Sequence, residues 1–579
     1  MLFYDFEVFH DDWLVLIIDS DTKKEHVFVN DEQALINFYN EQKNNIWIGY
    51  NSRHYDQYIL KAIVCGFSPQ EINDWIINQR RLGWEFYEDF WKIQLFNFDI
   101  MFNRYRSLKQ LEGFMGHDIR ETTVSFDTTR KLTDEEIKEV ITYCRHDVQE
   151  TMHIFAENIH EFTSQLELLK MFKLPMRHIS KTKAQLSALI LDARQPNIPR
   201  EDEFNLSFPD TLNINKYTHV INFYKQAIHT KDPYNEYLET DIAGVPHIFA
   251  WGGIHGARRN YYGEGDYLLI DVASYYPALM IEYDYLSRNV RNPKKFKEIR
   301  DTRLKLKEAG DPKELPLKIV INGTYGAMKD KYNGLYDPLM ANNVCIAGQL
   351  LLLDLIEKLE EHVTLIQSNT DGLLIKLHHP DDYELVDDIC YEWEQRTRMN
   401  LEFEEYVKVI QKDVNNYILV TADGKLETKG AYVKRLNPLD NDLPIVNKAV
   451  VDYLVHGIEP EETIFNAKRL IDFQKIVRIS NKYEYAIYNK KRMTESVFRV
   501  FASVDKNDGQ LLKVRDGSSS KIAYTPDNCF IDNGDVTDKK VPTKLDYWWY
   551  LDLANRRIND FLGHDEIEVD NEGWMRKWG

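Results

Sequence analysis

"IQSNTDGLLI" (366–375) is the stretch that decides how the middle of this chain folds. An apolar run enters it, another leaves it, and a polar tip lies between them, which predicts a β-hairpin. The tip carries one carboxylate, Asp371, and Asn369 stands where a paired metal site would have a second. The stretch therefore fits three readings: a working site that needs one acid here, a damaged catalytic site, or an ordinary polar turn.

Two stretches upstream carry polar groups that could accompany this hairpin. "LLIDVASYYPALM" (268–280) predicts an apolar strand that ends at Asp271, followed by a turn and a helix. Asp271 there is either a metal ligand or a helix N-cap. In "KIVINGTYGAM" (318–328), Lys318, Asn322 and Tyr325 share one helix face. That face suits a nucleotide; the alternative is a frayed helix weakened by its glycines.

A basic run precedes this helix within an otherwise acidic chain. "NPKKFKEIRDTRLKLKEAG" (292–310) places Arg303 and Lys307 four residues apart, with Arg300 close by. Two helices around the turn signal "AGDP" are predicted over 293–328. The run is either a solvated helix surface or a cationic clamp for a triphosphate.

The first 160 residues alternate predicted strands with helices, which indicates an α/β domain. Asp5 and Glu7 lie two apart on a strand and so share one face. Asp56 follows a strand at the start of a helix, and Tyr143 and Asp147 lie one helical turn apart. Any one of these pieces is a weak signal, and the Asp5/Glu7 pair alone is typical of a solvated strand edge. Four carboxylates and a tyrosine together are the groups that two-metal phosphodiester hydrolysis uses.

Composition limits the class of protein. The 579 residues are 43% hydrophobic and carry a formal net charge of -21. An acidic chain disfavours nonspecific, charge-driven binding of nucleic acid but leaves room for a local basic cleft. Five scattered cysteines without a CxxC pair argue against a thiolate zinc site and fit a reducing compartment. We see no basic leader and no apolar run near the length of a membrane span, and we therefore expect a soluble, cytoplasmic protein.

The N-terminal acids resemble the three motifs of the DnaQ-like 3′–5′ proofreading exonucleases. The matching positions are Asp5/Glu7, Asn51 with Tyr55 and Asp56, and Tyr143/Asp147. The resemblance implies an RNase H-like fold whose metal ligands are Asp5, Glu7, Asp56 and Asp147. It implies that Tyr143 orients the attacking water and that Asn51 and Tyr55 hold a single-stranded DNA 3′ end. Lys109, in "SLKQL" (107–111), matches a phosphate-contacting segment more loosely.

The second half resembles motifs A, B and C of the family B DNA polymerases, at 271–277, 318–326 and 367–372. The resemblance implies catalysis by Asp271 and Asp371, with two Mg²⁺ ions per active site, or Mn²⁺ in their place, and deoxynucleoside triphosphates as substrates. A working site needs these two acids, so Asn369 is compatible with activity. The implied nucleotide contacts are Tyr276, Lys318, Asn322, Tyr325, Arg303 and Lys307.

Two further segments resemble DNA-binding parts of the same family. "AWGGIHGARRN" (250–260) matches a template-contacting segment through Gly252 and Gly253, although its aromatic residue, Trp251, is offset. Tyr417 and Lys429 match primer-side positions, whereas Asn415 replaces a usual lysine.

These resemblances predict a multidomain α/β and α+β chain, in which the exonuclease domain precedes a right-hand polymerase with short two-helix fingers. The predicted segments are exonuclease 1–160, connecting module 161–245, palm 246–292 and 329–440, fingers 293–328, and thumb or C-terminal region 441–579. We expect a monomeric bacteriophage-type enzyme whose partners are primer–template DNA, single-stranded 3′ ends and replisome proteins, without a membrane. One alternative is a 3′–5′ exonuclease whose polymerase half only holds DNA. Another is a non-catalytic replisome scaffold.

Overall fold

The structure is a computed structural model, and it describes residues 1–103 and 106–564. The chain divides into two compact units. Unit 1 contains Met1–Lys181, Leu436–Val446 and Glu461–Leu551. Unit 2 contains Thr182–Arg435, Asn447–Pro460 and the segment from Asp552. Both units mix helices with sheets, so the chain is a mixed α/β multidomain protein.

The N-terminal part of unit 1 is built on a five-stranded sheet in the order β3-β2-β1-β4-β5. Strand β1 lies at its centre, antiparallel to β2 and parallel to β4. The strands are β1 Leu2–Val8, β2 Trp13–Asp19, β3 Glu25–Val29, β4 Ile46–Gly49 and β5 Phe96–Asp99. The helices are α1 Glu32–Gln42, α2 Asp56–Val64, α3 Pro69–Asn73, α4 Leu108–Met115, α5 Asp134–Glu157 and α6 Ile159–Met171. The predicted alternation of strands and helices in this part is confirmed.

Helix α5 begins after Thr133, because Thr133 and Glu136 form a reciprocal capping box. Three acids in the first turn also stabilise the helix, because their negative charges lie at the positive end of its dipole. The buried side of α5 contains Cys144, Asp147 and Glu150, which is an unusually polar set for a core-facing side.

Unit 2 is built on a nine-stranded sheet in the order β14-β13-β12-β9-β11-β10-β8-β7-β6. Its strands are β6 Leu238–Ile242, β7 Val245–Phe249, β8 Ile254–Ala257, β9 Tyr261–Val272, β10 Val363–Ser368, β11 Gly372–Leu377, β12 Leu401–Asp413, β13 Asn416–Val420 and β14 Leu426–Lys429. Its helices are α7 Lys183–Ile190, α8 Thr218–Ala227, α9 Tyr275–Glu282, α10 Pro293–Glu308, α11 Glu314–Met328, α12 Pro338–Leu359 and α13 Asp382–Thr397. The predicted hairpin, β10–β11, and the two predicted helices, α10 and α11, are present.

The remaining chain contributes to both units. Its helices are α14 Pro444–His456, α15 Pro460–Asn466 and α16 Tyr547–Leu562, and α14 and α16 each pass from one unit to the other. Between them, unit 1 contains a three-stranded and a four-stranded sheet. Their strands are β15 Lys475–Arg478, β16 Tyr485–Tyr488, β17 Lys491–Met493, β18 Val497–Ala502, β19 Leu511–Arg515, β20 Ser518–Lys521 and β21 Cys529–Ile531.

Helix α12 corrects one expectation. It has the length and the apolar composition of a membrane-spanning helix, with a mean hydropathy of 1.6 over its most apolar window. The expectation that no apolar run approaches that length is therefore wrong. In the structure 94% of this window is buried inside the protein, which is the environment of a core helix.

The two units form a coarser division than the six predicted segments. The predicted exonuclease segment lies in unit 1, and the predicted palm and fingers segments lie in unit 2 except for residues 436–440, which belong to unit 1. The predicted C-terminal segment is divided between the units. The names given to these segments stay predictions.

Candidate active sites

The four N-terminal acids meet at the middle of the five-stranded sheet. Asp5 and Glu7 alternate with buried apolar residues on β1, so both side chains leave the same face of the strand. Asp56 is the first residue of α2, and its Oδ1 accepts a hydrogen bond from the Phe6 backbone N–H at 3.0 Å. That bond ties the start of α2 to the strand between the two acids.

Burial and mutual repulsion dominate the electrostatics of this cluster. Burial raises the pKa of Asp5, and the nearby Glu7 raises it further. The pKa of Glu7 is raised by burial and by Asp147. Burial also raises the pKa of Asp56 to about 7 and that of Asp147 to about 6. The ionised forms of acids held this close together are destabilised by their mutual repulsion. Divalent cations, which prefer carboxylate oxygens as ligands, would relieve that repulsion.

Helices α4 and α5 bring the remaining groups. The Lys109 ammonium donates to Asp147 and, at 3.0 Å, to Glu112 Oε1. It also lies 4.6 Å from the centre of the Tyr143 ring. Only 8% of Lys109 is exposed, and its pKa is raised because attraction to Asp147 and Glu112 outweighs the opposing effect of burial. Lys109, the loosest of the sequence matches, therefore lies inside the acid cluster.

The predicted contacts to a DNA 3′ end lie in the turn before α2, next to Asp56. Asn51 has a φ of 60° and is exposed in the turn between β4 and α2. The Tyr55 hydroxyl donates to Asn73 Oδ1 at 2.6 Å, which holds its half-buried ring at the start of α2.

In unit 2, sheet pairing brings Asp271 and Asp371 together. Asp271 on β9 lies directly opposite Gly372 on β11, and the Val272 N–H donates to the Asp371 carbonyl at 2.8 Å. A Cβ at Gly372 would lie 1.8 Å from Asp271 Oδ1, so the carboxylate lies against the bare glycine. The alternative that Asp271 caps the following helix is wrong, because Ser274 occupies that position.

The Asp271 carboxyl has the properties of a site awaiting a cation. Its Oδ1 is buried and has no hydrogen-bond partner among residues 1–103 and 106–564. Burial raises the pKa of Asp271 to about 7, and Asp371 acts in the same direction. Buried polar atoms in native proteins are nearly always satisfied, and the chemistry of a buried carboxylate oxygen beside a second acid fits a divalent cation.

Asn369 holds the hairpin tip. Its side-chain Oδ1 accepts from the backbone N–H groups of Asp371, at 3.1 Å, and Gly372, at 2.7 Å. Its own N–H donates to the Gly372 carbonyl at 3.0 Å. An amide oxygen serves this turn as well as a carboxylate does, and it adds no further negative charge beside Asp271.

The polar face of α11 is assembled as the sequence predicts. Lys318 and Asn322 are exposed, and Tyr325 is half-buried with its ring centre 4.5 Å from that of Tyr276. The Tyr276 hydroxyl donates to the Gly252 carbonyl at 3.4 Å. Predicted nucleotide and template contacts thus adjoin one another.

The predicted cationic clamp is partly occupied by protein acids. Arg303 is only 7% exposed; its Nε donates to Glu314 at 3.0 Å and its Nη1 to the Ser274 hydroxyl at 3.1 Å. It therefore joins α10, α11 and the turn that follows β9. Lys307 is exposed and pairs with the exposed Glu402 at 3.2 Å.

The predicted primer-side residues face each other across β13 and β14. Tyr417 is paired with Lys429, whose ammonium lies 5.6 Å from the tyrosine ring centre. Burial raises the pKa of Tyr417 to about 12, and Asp271 and Asp371 also contribute. The last contribution indicates that this pair is within electrostatic reach of the two acids.

Sequence reasoning missed a further group of acids beside Asp271. The Tyr406 hydroxyl lies 2.7 Å from Glu404 Oε2 and 2.6 Å from Glu427 Oε2. Both glutamates, together with Glu402, help to raise the pKa of Asp271. They lie on β12 and β14, far from Asp271 in the chain, so no local pattern signals the grouping.

Comparison with known proteins gives similarity at low identity. No family model matches the chain. Over 191 residues, 32% of its length, the chain is 26% identical to "DNA polymerase 1" of Saccharolobus solfataricus. Over 192 residues it is 26% identical to "DNA polymerase 1" of Sulfolobus acidocaldarius. The chain spans only about a fifth of the length of these two polymerases, 20% and 21%.

Two other matches add little about activity. Over 69 residues the chain is 38% identical to "Uncharacterized mitochondrial protein ymf34" of Marchantia polymorpha, of which it covers 89%. Over that segment the chain belongs to the same family as the Marchantia protein, whose name states no activity. The solved family B DNA polymerase of the hyperthermophilic archaeon Pyrobaculum calidifontis matches with a TM-score of 0.41 and 14% identity, over 98% of this chain and 78% of that chain.

Proposed function

We propose that the chain is a family B DNA polymerase of bacteriophage type that extends primer 3′ ends along a template and edits them with a 3′–5′ exonuclease. The observation that carries this proposal is the buried Oδ1 of Asp271, which has no hydrogen-bond partner in the described part of the chain and lies beside Asp371 on the β10–β11 tip. The similarity to archaeal DNA polymerases, at low identity, supports it.

The residues of the polymerase site fit a pair of divalent cations. Asp271 and Asp371 offer hard carboxylate oxygens, which Mg²⁺ and Mn²⁺ prefer, and Asp271 Oδ1 has no hydrogen-bond partner among residues 1–103 and 106–564. When bound, two such cations supply charge neutralisation and activation of the primer hydroxyl for nucleotidyl transfer. The raised pKa of Asp271 means that burial and nearby acids destabilise its ionised form, and a bound cation would offset this destabilisation.

The residues around this pair bind and orient the substrate. The exposed Lys318 ammonium holds triphosphate oxygens, and Lys307 extends the same positive surface. Tyr276 and Tyr325 pack edge to face and contact the incoming sugar and base, next to the exposed Asn322. Arg303 supports the nucleotide-binding surface from the protein interior, because its guanidinium donates hydrogen bonds to Glu314 and Ser274.

The exonuclease in unit 1 uses the second acid cluster. Asp5, Glu7, Asp56 and Asp147 hold the cations for phosphodiester hydrolysis, and Tyr143 orients the attacking water. Lys109 keeps Asp147 in place through its ion pair.

DNA is held by groups on both units, each acting at its own site. Asn51 and Tyr55 bind a single-stranded 3′ end beside the acid cluster of unit 1. Tyr417 and Lys429 contact the primer strand in unit 2, and Gly252 and Gly253 let template DNA approach the backbone. The proposed protein is a monomer, and its proposed partners include replisome proteins.

A labelled primer–template tests both activities in one experiment. Purified protein with Mg²⁺ should lengthen the primer when deoxynucleotides are present and shorten it when they are absent. Asp371→Ala should abolish lengthening and retain shortening, whereas Asp5→Ala combined with Glu7→Ala should do the reverse. Shortening alone by the unsubstituted protein, with and without nucleotides, would instead establish a nuclease whose unit 2 only binds DNA.

A further inference from the structure

Unit 1 contains a second group of metal-type donors outside the four-acid cluster. His117 lies in the turn after α4, and Glu150 and His153 lie one turn apart on α5. One donor atom from each of the three lies within 4.8 Å of the other two. His117 Nδ1 is 2.7 Å from Glu150 Oε2, and His153 Nδ1 is 3.2 Å from Glu150 Oε1. Two imidazoles from different elements thus converge on one carboxylate.

The convergence is built into the surrounding structure. The Arg499 guanidinium, which is 0% exposed, donates to the His117 carbonyl at 2.7 Å and to the Gly113 carbonyl at 3.1 Å. Gly116, with a φ of 85°, ends α4 and turns the chain towards His117; a Cβ there would lie 2.5 Å from Ile471 Cδ1. The backbone that carries His117 is therefore held before any ligand binds.

Charge and burial favour a cation at this point. Glu150 is only 4% exposed, whereas His117 and His153 are partly accessible, so the group is open on one side. Both carboxylate oxygens of Glu150 face imidazole nitrogens, Oε2 towards His117 Nδ1 and Oε1 towards His153 Nδ1. Asp535 adds a further negative charge within reach of His117.

We propose that His117, Glu150 and His153 bind one divalent transition-metal ion, with Zn²⁺ the best fit. Two imidazole nitrogens and one carboxylate oxygen form a three-ligand zinc set that leaves a further position for water. Imidazole ligands favour zinc-type ions over Mg²⁺, which separates this site from the two carboxylate clusters, one of which has the Cys144 thiol beside Asp5 and Glu7. The bound ion links α5 to the turn that follows α4. Helix α5 carries Asp147, and helix α4 carries Lys109.

Without a metal, hydrogen bonds alone hold His117, Glu150 and His153 together. Direct binding of a metal ion by these side chains therefore has to be measured. The full chain is stripped with a chelator, desalted, and supplied with excess Mg²⁺ to fill the oxygen-ligand sites. Co²⁺ is then titrated in and followed by its visible ligand-field absorption, and Zn²⁺ is added to displace it. The readout does not depend on either proposed activity.

Matched variants assign the ligands. His117→Ala and His153→Ala should each weaken Co²⁺ and Zn²⁺ binding by about a hundredfold or more, because each removes a direct ligand. His160→Ala is the control, since His160 is an exposed histidine on α6. Asp5→Asn combined with Glu7→Gln should leave the Co²⁺ spectrum unchanged.

A ligand exchange gives a test that a merely structural role cannot satisfy. His153→Cys should retain Co²⁺ and add an intense near-ultraviolet thiolate-to-Co²⁺ charge-transfer band, since His153 is exposed enough to tolerate the change. Metal binding by the unsubstituted chain that is unaffected by His117→Ala and His153→Ala would overturn the proposal. Absence of Zn²⁺ binding at micromolar concentration, or of the new band in His153→Cys, would overturn it as well.

Discussion

Gly372→Ala probes the proposed polymerase site because its methyl group would enter the space of the Asp271 carboxylate. The new Cβ would lie 1.8 Å from Asp271 Oδ1 and 2.8 Å from the Ile270 carbonyl oxygen. Ordinary contact begins at 3.4 Å, so Oδ1 must retreat by roughly 1.6 Å. Gly372 does not have a positive φ, so the change acts through space and not through backbone strain.

The displacement sets the expected size of the effect. A misplacement of about 1 Å in a catalytic group costs on the order of a hundredfold in rate. We therefore expect kcat for single-nucleotide incorporation to fall by about 100-fold or more. The assay is steady-state extension of a labelled primer–template, with shortening of single-stranded DNA by the same preparation as the internal control. That second activity should change little, because Gly372 and the four-acid cluster lie in different units.

A second variant separates displacement from unfolding. Asp271→Asn keeps the volume of the side chain and removes its charge, so incorporation should fall while the thermal midpoint does not. Wild-type incorporation by Gly372→Ala, with the protein folded, would refute the reasoning. If Gly372→Ala loses both activities together, Asp271→Asn decides: wild-type incorporation by that variant would remove Asp271 from the site.

Three further predictions concern Asn369 and the acid cluster of unit 1. Asn369→Asp should keep incorporation within a few-fold of wild type, whereas Asn369→Ala should cost about 0.5–1.5 kcal/mol in urea unfolding by removing the acceptor of two N–H groups of the tip; equal stability of both variants would contradict this. Lys109→Met should destabilise unit 1 by about 3–5 kcal/mol in urea, because Asp147 and Glu112 lose their buried cation; an unchanged midpoint would show that the pair is not formed. The raised folded-state pKa values of Asp56 and Asp147, about 7 and about 6, mean that the folded chain binds more protons than the unfolded chain between about pH 4 and 7. Without divalent metal, the free energy of unfolding should therefore fall as the pH rises through that window, by up to about 1.4 kcal/mol per pH unit for each carboxyl, and excess Mg²⁺ should flatten the slope; a rise with pH in urea titrations would contradict the assignment.

Local elements could be predicted from the sequence because their causes are local. The alternation that puts Asp5 and Glu7 on one face, the capping box at Thr133 and the helical spacing of Lys318 and Asn322 depend on residues within one or two turns. The hairpin at 366–375 was likewise visible, since its turn chemistry and flanking apolar runs are contiguous.

Other features depend on contacts between distant segments and had no local signal. The segment between α15 and α16 forms seven strands in two sheets, although the sequence predicted no strands there and assigned it only to a thumb or C-terminal region. Helix α12 carries the composition of a membrane span, and only the surrounding fold shows that it is buried in protein. The Arg303 bond to Ser274 likewise needs α10 and β9 to be brought together.

The sequence by itself determined which side chains can do the chemistry and on which local face each one lies. Only the tertiary structure decided which of them meet: Asp271 against Gly372, Lys109 beside Asp147, and His117 over Glu150. The physical reason is range. Strand alternation and helical periodicity repeat every two to four residues, whereas sheet pairing and helix packing select partners that are tens to hundreds of residues apart.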